Sequence, residues 1–202
     1  MWAIILGKLM RVTKWRGTKP FRFGKESSIC DVCHRRAYAA KRNIAEVNCE
    51  RVFFVTSVTA KRQPFFRLEA TARLLIETIA FYRDAGKYLL HEFVVMPDHL
   101  HLLLAPADEI ALERAIQFIK GGFSFRLKSR WAVWQDGFTN HRVRDLMDYE
   151  IHREYIRMNP VRARLVGRAE EYPYCSAAGV LGLDALPQGL KPRSSDLALT
   201  RP

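Results

Sequence analysis

Residues 88–105, YLLHEFVVMPDHLHLLLA, are two apolar β-type runs joined by Pro97 and Asp98. So short a link between two strands predicts antiparallel neighbours. His99 and His101 stand two residues apart in the second run, so both imidazoles point to the same side of that strand. This placement suits two ligands of one metal ion. The stretch therefore predicts a β-hairpin that carries a metal site, without identifying the metal.

Strand and helix patterns follow one another on both sides of this hairpin. Strands are indicated by runs of β-branched and aromatic residues, and helices by apolar residues at three- and four-residue steps. Together they predict an α+β fold, with an antiparallel sheet and helices packed on one face. The further predicted elements are a strand at 51–59, a helix at 68–86, a helix at 112–127, an edge strand at 141–144, and a helix from 145 that stops or bends at Asn159 because Pro160 follows.

The second predicted helix contains Gly121 and Gly122. Each costs a helix about 1 kcal/mol relative to alanine, so we expect the pair to permit a close contact or a kink. Outside the patterned region, residues 1–48 form a basic N-terminal extension. We expect residues 49–178 to form the one folded domain, which carries the hairpin, and residues 179–202 to form a flexible C-terminal tail.

Composition narrows the class of partner. The chain of 202 residues has 33 Lys and Arg against 21 Asp and Glu, a net charge of +12. Such an excess favours a polyanionic partner, nucleic acid before an anionic membrane, although a basic solvated surface is the simpler alternative. No apolar run approaches the ~18 residues of a membrane span, and no signal peptide is recognisable. We expect a cytoplasmic, nucleoid-associated protein with no membrane partner.

Two histidines leave a divalent metal short of ligands, and the last predicted helix offers a third. Tyr155 and Asn159 are four residues apart and share a helical face. An amide oxygen beside two imidazoles suits a hard ion such as Mg²⁺ or Mn²⁺. A free tyrosine has a pKa near 10, so about one in a thousand is ionised at pH 7. A metal-bound phosphate and the surrounding arginines would help such a group act as a nucleophile.

Five motifs occur in an order that resembles the single-tyrosine transposases of the His-hydrophobic-His (HUH) superfamily, and within it the REP-associated tyrosine transposases. The resemblance covers residues 50–178. The motifs are MPDHLHLL (96–103), IKGGFS (119–124), WQDGF (134–138), YIRMNPVRA (155–163) and YPYCS (172–176).

This resemblance implies a ferredoxin-like domain whose catalytic helix lies near the C-terminal end. It implies cleavage and rejoining of single-stranded DNA beside a hairpin, with Mg²⁺ or Mn²⁺ and a 5′-phosphotyrosine intermediate. His99, His101 and Asn159 would be the metal ligands and Tyr155 the nucleophile. We expect DNA contacts from Lys120, Arg126, Arg153, Arg157 and Arg162.

Two positions depart from the family pattern. Asp98 stands where asparagine is frequent, a mild change because either residue suits a turn. Arg164 replaces the usual glycine after Ala163, and a left-handed backbone there would be awkward for arginine. Trp131 and Trp134 would either stack on unpaired bases or pack against the protein.

Other functions stay open at this stage. A non-catalytic nucleic-acid-binding regulator would use the same fold, and an unrelated His-x-His metalloenzyme would use another. Cys30 and Cys33 resemble a haem or zinc motif, but we interpret them as reduced thiols. Monomer and homodimer both remain possible, with Tyr155 used in cis or in trans.

Overall fold

The computed structural model describes residues 11–13, 51–185 and 190. Its centre is an antiparallel five-stranded sheet in the order β1-β5-β2-β4-β3. The elements in chain order are β1 (Arg11–Thr13), β2 (Phe53–Val58), α1 (Glu69–Asp84), β3 (Tyr88–Met96), β4 (His99–Pro106), α2 (Leu112–Arg126), β5 (Phe138–Arg142) and α3 (Leu146–Arg162).

The predicted hairpin is confirmed. Met96 pairs with His99 across the two-residue link, and β3 and β4 run antiparallel from there to Tyr88 and Pro106. The pairing slips by one residue between Leu90 and Glu92. His99 also pairs with Val58 at the end of β2, on the other side of β4. The histidine strand is therefore an interior strand of the sheet, with β2 on one side and β3 on the other.

Two crossovers give the sheet its order. The chain passes from β2 through α1 to β3, leaving a gap that β4 fills, and from β4 through α2 to β5, leaving a gap that β2 fills. This βαββαβ arrangement is ferredoxin-like, so the predicted α+β class is confirmed. β5 begins earlier than the predicted strand at 141–144. It is not an edge strand either, because β1 pairs with its outer side.

The helices cover both faces of the sheet, whereas all were expected on one. α1 and α2 pack over Val55, Phe93 and Leu102, and α3 packs over Phe54 and Leu103 on the opposite face. The apolar residues of β3 and β4 run without alternation, and such strands are buried on both sides. A cover on each face is what this pattern requires.

Gly122 is where α1 and α2 approach each other closely. A Cβ built on Gly122 would lie 2.4 Å from Cε2 of Tyr82, whereas one on Gly121 would meet nothing within 4 Å. The expected close contact is therefore confirmed and belongs to Gly122 alone. Among the described residues α2 runs as one helix through both glycines.

α3 differs from expectation at its end. The helix continues through Pro160 to Arg162 instead of ending at Asn159. The N–H of Ala163 bonds to the Asn159 carbonyl, and the N–H of Leu165 bonds to the Pro160 carbonyl. Pro160 has no N–H, so the helical bond to the Ile156 carbonyl is missing, but the carbonyls of Asn159 and Pro160 keep their partners. Arg164 then adopts a φ of 57°, so this arginine takes the left-handed conformation that favours glycine.

The folded body extends beyond residue 178, where the tail was expected to begin. Asp184 accepts two hydrogen bonds from Arg83 of α1, at 2.8 and 2.7 Å, and one from the backbone N–H of Leu90. Most of the expected basic extension, including Cys30 and Cys33, lies outside the described residues, as do 186–189 and 191–202.

Candidate active site

His99 and His101 lie side by side on the α3 face of the sheet. Their ring centroids are 4.7 Å apart and their planes are inclined by 76°. His101 is 5% exposed. Burial is the larger cause that holds the pKa of His101 well below its ordinary value, and the nearby His99 is the smaller cause. The His101 imidazole is therefore neutral at pH 7. A neutral imidazole keeps the lone pair that a metal ligand needs.

One nitrogen of each imidazole has a neighbour that fixes the ring. Nδ1 of His101 is 2.8 Å from the Thr56 hydroxyl of β2. Nδ1–H of His99 donates to Oδ1 of Asp98 at 2.6 Å. With both Nδ1 atoms engaged, Nε2 is the nitrogen each ring has left for a ligand. The sequence pattern alone does not point to Thr56, whose pairing with His101 follows from the strand register.

Asp98 does more than form a turn. Its second carboxylate oxygen accepts a hydrogen bond from Arg62 at 3.2 Å. Burial acts to raise the pKa of Asp98, but the bonds from His99 and Arg62 outweigh it and lower the pKa below its usual value. The chain Arg62–Asp98–His99 therefore orients one predicted ligand. An asparagine in place of Asp98 would offer only one oxygen to both donors.

Tyr155 projects from α3 toward these histidines. Its ring centroid is 5.4 Å from that of His101, in an edge-to-face arrangement. The fully buried ring of Phe54 lies beneath both, 5.4 Å from His101 and 5.7 Å from Tyr155. The guanidinium of Arg162 lies 5.4 Å from the Tyr155 ring. One chain therefore brings the histidine strand and the tyrosine helix together.

Asn159 is buried on the same helix, one turn beyond Tyr155. The i, i+4 spacing within α3 keeps the two side chains on one helical face. Two imidazoles and a buried amide match the donor set that Mg²⁺ or Mn²⁺ accepts while keeping open positions. The residues present therefore fit a hard divalent ion.

A second cluster lies on the other side of Phe54. His141 of β5 and Asp148 and His152 of α3 each offer one ligand atom, and these atoms lie within 4.8 Å of one another. Nε2–H of His141 donates to Asp148 at 2.8 Å, and Nδ1–H of His152 donates to the Asp148 carbonyl at 2.7 Å. Nε2 of His152 is buried with no hydrogen-bond partner.

His152 of this cluster is a buried residue. It is 3% exposed, and its ring centroid is 4.7 Å from that of Phe54. Burial acts to raise the pKa of Asp148, but hydrogen bonds from His141, His152 and the Arg144 N–H lower it far below the ordinary value. In the sequence, the feature that indicates this cluster is the spacing of Asp148 and His152, which are one helical turn apart.

The five residues that were predicted to contact DNA lie on two opposite faces of the sheet. Arg153, Arg157 and Arg162 lie on α3 with Tyr155. Arg153 is paired with Glu150 and with Glu92, which is 1% exposed, and Arg157 lies 4.0 Å from Glu170. Of these three, Arg162 is the one over the tyrosine ring.

Lys120 and Arg126 lie on α2, on the opposite face of the sheet. Lys120 donates to the carbonyls of Gln135 and Gly137, and burial lowers its pKa to about 8. Arg126 donates to Glu77 and Thr78 of α1. Both side chains thus have internal partners, and the structure does not bring them to Tyr155.

Comparison with known families identifies the class of protein to which the chain belongs. The sequence model of the family described as "Transposase IS200 like" matches residues 51–159, just over half of the chain. The chain therefore belongs to this family of transposases. Membership in a transposase family supports an enzymatic role.

Two relatives carry names that agree with the resemblance. A Haemophilus influenzae protein named among the REP-associated tyrosine transposases is 31% identical over 129 residues, covering 54% of this chain and 73% of its own. The REP-associated tyrosine transposase of Escherichia coli K12 is 26% identical over 125 residues, covering 60% of this chain and 73% of its own. The predicted kinship with REP-associated tyrosine transposases is confirmed.

A solved structure shares the fold. It is described as a REP-associated tyrosine transposase bound to a REP hairpin, and it superposes with a TM-score of 0.57 at 22% identity. The match covers 71% of this chain and 89% of that one. Among the described residues, no helix has the length and apolar character needed to cross a bilayer.

Proposed function

We propose that this protein cleaves and rejoins single-stranded DNA at hairpin-forming repeats, with Tyr155 as the nucleophile. The observation that carries the proposal is the approach of Tyr155 to His101, at 5.4 Å between ring centroids within one chain. The named relatives and the solved hairpin complex support DNA of this kind as the substrate.

In the proposed reaction, the Tyr155 phenol oxygen attacks a backbone phosphorus and loses its proton to solvent. The P–O3′ bond breaks, and the departing strand leaves as a 3′-hydroxyl after taking up a proton. The other strand stays attached to the protein through a 5′-phosphotyrosine. Because this linkage is again a phosphodiester, attack by a 3′-hydroxyl reverses the step and rejoins DNA without ATP.

The surrounding residues have distinct tasks in this proposal. His99, His101 and Asn159 would hold Mg²⁺ or Mn²⁺, which supplies Lewis-acid polarisation of the phosphate. Phe54 fixes the position of the tyrosine ring by edge-to-face packing. Arg162 places a positive charge beside the ring, where it favours the negative charge that develops as the proton leaves.

The test uses a hairpin-bearing oligonucleotide labelled at its 3′ end, because that end stays on the protein. Wild-type protein with Mn²⁺ should give a labelled band of protein mass on a denaturing gel, and Tyr155→Phe should remove it. Tyr149→Phe is the matched control, since Tyr149 is a buried tyrosine of the same helix. A band that survives Tyr155→Phe refutes the nucleophile. No wild-type band on any repeat sequence would favour a non-catalytic binding protein.

A further inference from the structure

A loop surface lies beside the histidine end of the sheet, and apart from Arg62, which bonds to Asp98, its side chains have no part in the proposed reaction. It consists of Lys61 and Arg62 from one loop and Lys128, Arg130 and Trp131 from another, and we call it the Trp131 surface. The backbone N–H of Ala60 bonds to the Val133 carbonyl at 2.9 Å, and Thr59 pairs with Trp134. The two loops therefore form one continuous surface.

Trp131 is the most exposed large apolar side chain among the described residues, at 84%. A partner that covers the indole would remove this apolar surface from water, which is favourable. The backbone of Trp131 is held in place. The Ser129 hydroxyl donates to the Trp131 carbonyl at 2.8 Å and accepts from the Trp131 N–H at 3.2 Å. The indole is thus presented to solvent by a fixed turn.

The surface carries four basic side chains, of which Arg62 is paired with Asp98 at 3.2 Å, and three of the four have left-handed backbone. Four non-glycine residues of the described chain have positive φ, and three of them, Lys61, Arg62 and Lys128, belong to this surface. Left-handed backbone costs a residue with a Cβ about 1–2 kcal/mol. Strain of this kind concentrates at functional sites. All four basic side chains of the surface are exposed.

Arg62 connects the surface to the candidate active site. Its guanidinium bonds to Asp98, which in turn holds His99. Through this contact the Trp131 surface adjoins the turn that precedes His99. Exposed aromatic rings set among basic side chains are how proteins hold single strands, because each base offers a face for stacking.

We propose that the Trp131 surface binds an unpaired stretch of the DNA substrate, with one base stacked on the Trp131 indole and the phosphates beside Lys61, Arg62, Lys128 and Arg130. This inference rests on the proposed function, because it takes single-stranded DNA as the ligand. It adds a place where the unpaired strand is held next to the site of reaction.

The test measures the affinity of full-length protein for a fluorescent 12-nucleotide single strand and for the matching duplex. All variants carry Tyr155→Phe, so that no covalent product forms. Trp131→Ala should weaken single-strand binding about 5- to 150-fold, as loss of one stacked base does, and should leave duplex binding nearly unchanged. Trp131→Phe should recover most of the loss, because phenylalanine keeps a stacking face.

Two further variants distinguish the contribution of base stacking from that of positive charge, and distinguish the Trp131 surface from a site elsewhere on the protein. Lys128→Ala/Arg130→Ala should reduce the slope of log affinity against log salt by about 1.4, since each single-strand phosphate contact contributes about 0.7. Arg51→Ala is the matched control. Arg51 precedes β2, at the opposite end of that strand from Thr59, and its loss should leave single-strand affinity at the parent value.

Unchanged single-strand affinity in Trp131→Ala overturns the inference, and so does an equal loss for single strand and duplex. A Trp131→Ala protein that dissociates from dimer to monomer at unchanged affinity assigns the surface to a second copy instead. These failures are distinct from failure of the proposed function, which is read from the covalent band of wild-type protein.

Discussion

At the scale of single residues, Arg164 has a backbone conformation that its side chain disfavours. Its φ is 57°, directly after the helix that carries Tyr155. Because glycine adopts this conformation without penalty, Arg164→Gly should raise the free energy of unfolding by about 1 kcal/mol. Urea denaturation measures this change. Arg168→Gly is the control, since Arg168 has a φ of −131° and glycine there should instead lower the free energy by about 0.5–1 kcal/mol. Equal effects of the two substitutions on the free energy of unfolding would show that the backbone of Arg164 is not strained.

Asp148 gives a pH-dependent prediction at the same scale. Its pKa is lower in the folded protein than its ordinary value, so the stability it contributes is present above about pH 4 and is lost as the pH falls further. Asp148→Asn should lower the free energy of unfolding at pH 7 by about 1–3 kcal/mol, and this deficit should shrink between pH 5 and pH 3. Urea titrations at these pH values measure it.

The control for Asp148 is Asp145→Asn. Asp145 caps the same helix by accepting from the Asp148 N–H, and asparagine caps helices about as well as aspartate. Its deficit at pH 7 should therefore be small. A deficit of Asp148→Asn that stays constant down to pH 3 would show that shape, and not charge, makes the contribution.

At the scale of elements, the two adjacent glycines of α2 make a matched pair. Gly121→Ala should raise the free energy of unfolding by about 1 kcal/mol, because its Cβ meets nothing within 4 Å and alanine favours helix. Gly122→Ala should lower it by about 1–3 kcal/mol, because its Cβ would come within 2.4 Å of Tyr82 on α1. Thermal and urea unfolding measure both. If the contact is the cause, adding Tyr82→Ala to Gly122→Ala should remove much of the loss that Gly122→Ala causes alone.

The helices and strands also show which parts of the fold can be predicted from sequence patterns. The hairpin and the two amphipathic helices were predictable, because their periodicity and links are local. The face that α3 covers was not, since an apolar strand without alternation does not say which helix lies on which side. The end of α3 was missed because the rule for a residue before proline is a preference, and packing of the last turn overrides it.

In the candidate site, too, some features could be predicted from the sequence and others could not. The His99 and His101 pair and the spacing of Tyr155 and Asn159 could be found by counting residues. Their mutual approach could not, because it depends on β4 and α3 packing through Phe54. Asp98 and Thr56 were missed as partners of the imidazoles for a related reason. Asp98 contacts the next residue, His99, and Thr56 contacts His101 on the neighbouring strand. These contacts can be identified only once the strand register is known.

At the scale of the whole molecule, the candidate site draws on both ends of the chain's folded region. β2 supplies Thr56 and Phe54, β4 supplies the histidines, and α3 supplies Tyr155 and Asn159. A metal ion that binds there binds only the folded protein, because the unfolded chain does not hold these groups together. Metal binding must therefore stabilise the entire domain.

This coupling predicts a thermal shift. At a Mn²⁺ concentration 100 times Kd, folding gains about 2.7 kcal/mol, which raises Tm by about 5–10 °C for a domain of this size. Differential scanning fluorimetry with Mn²⁺ and with EDTA measures the shift. His101→Gln should abolish it. His152→Gln should preserve it, because His152 belongs to the second cluster with His141 and Asp148. A shift that is lost in His152→Gln and kept in His101→Gln would place the ion in that cluster and remove it from the tyrosine site.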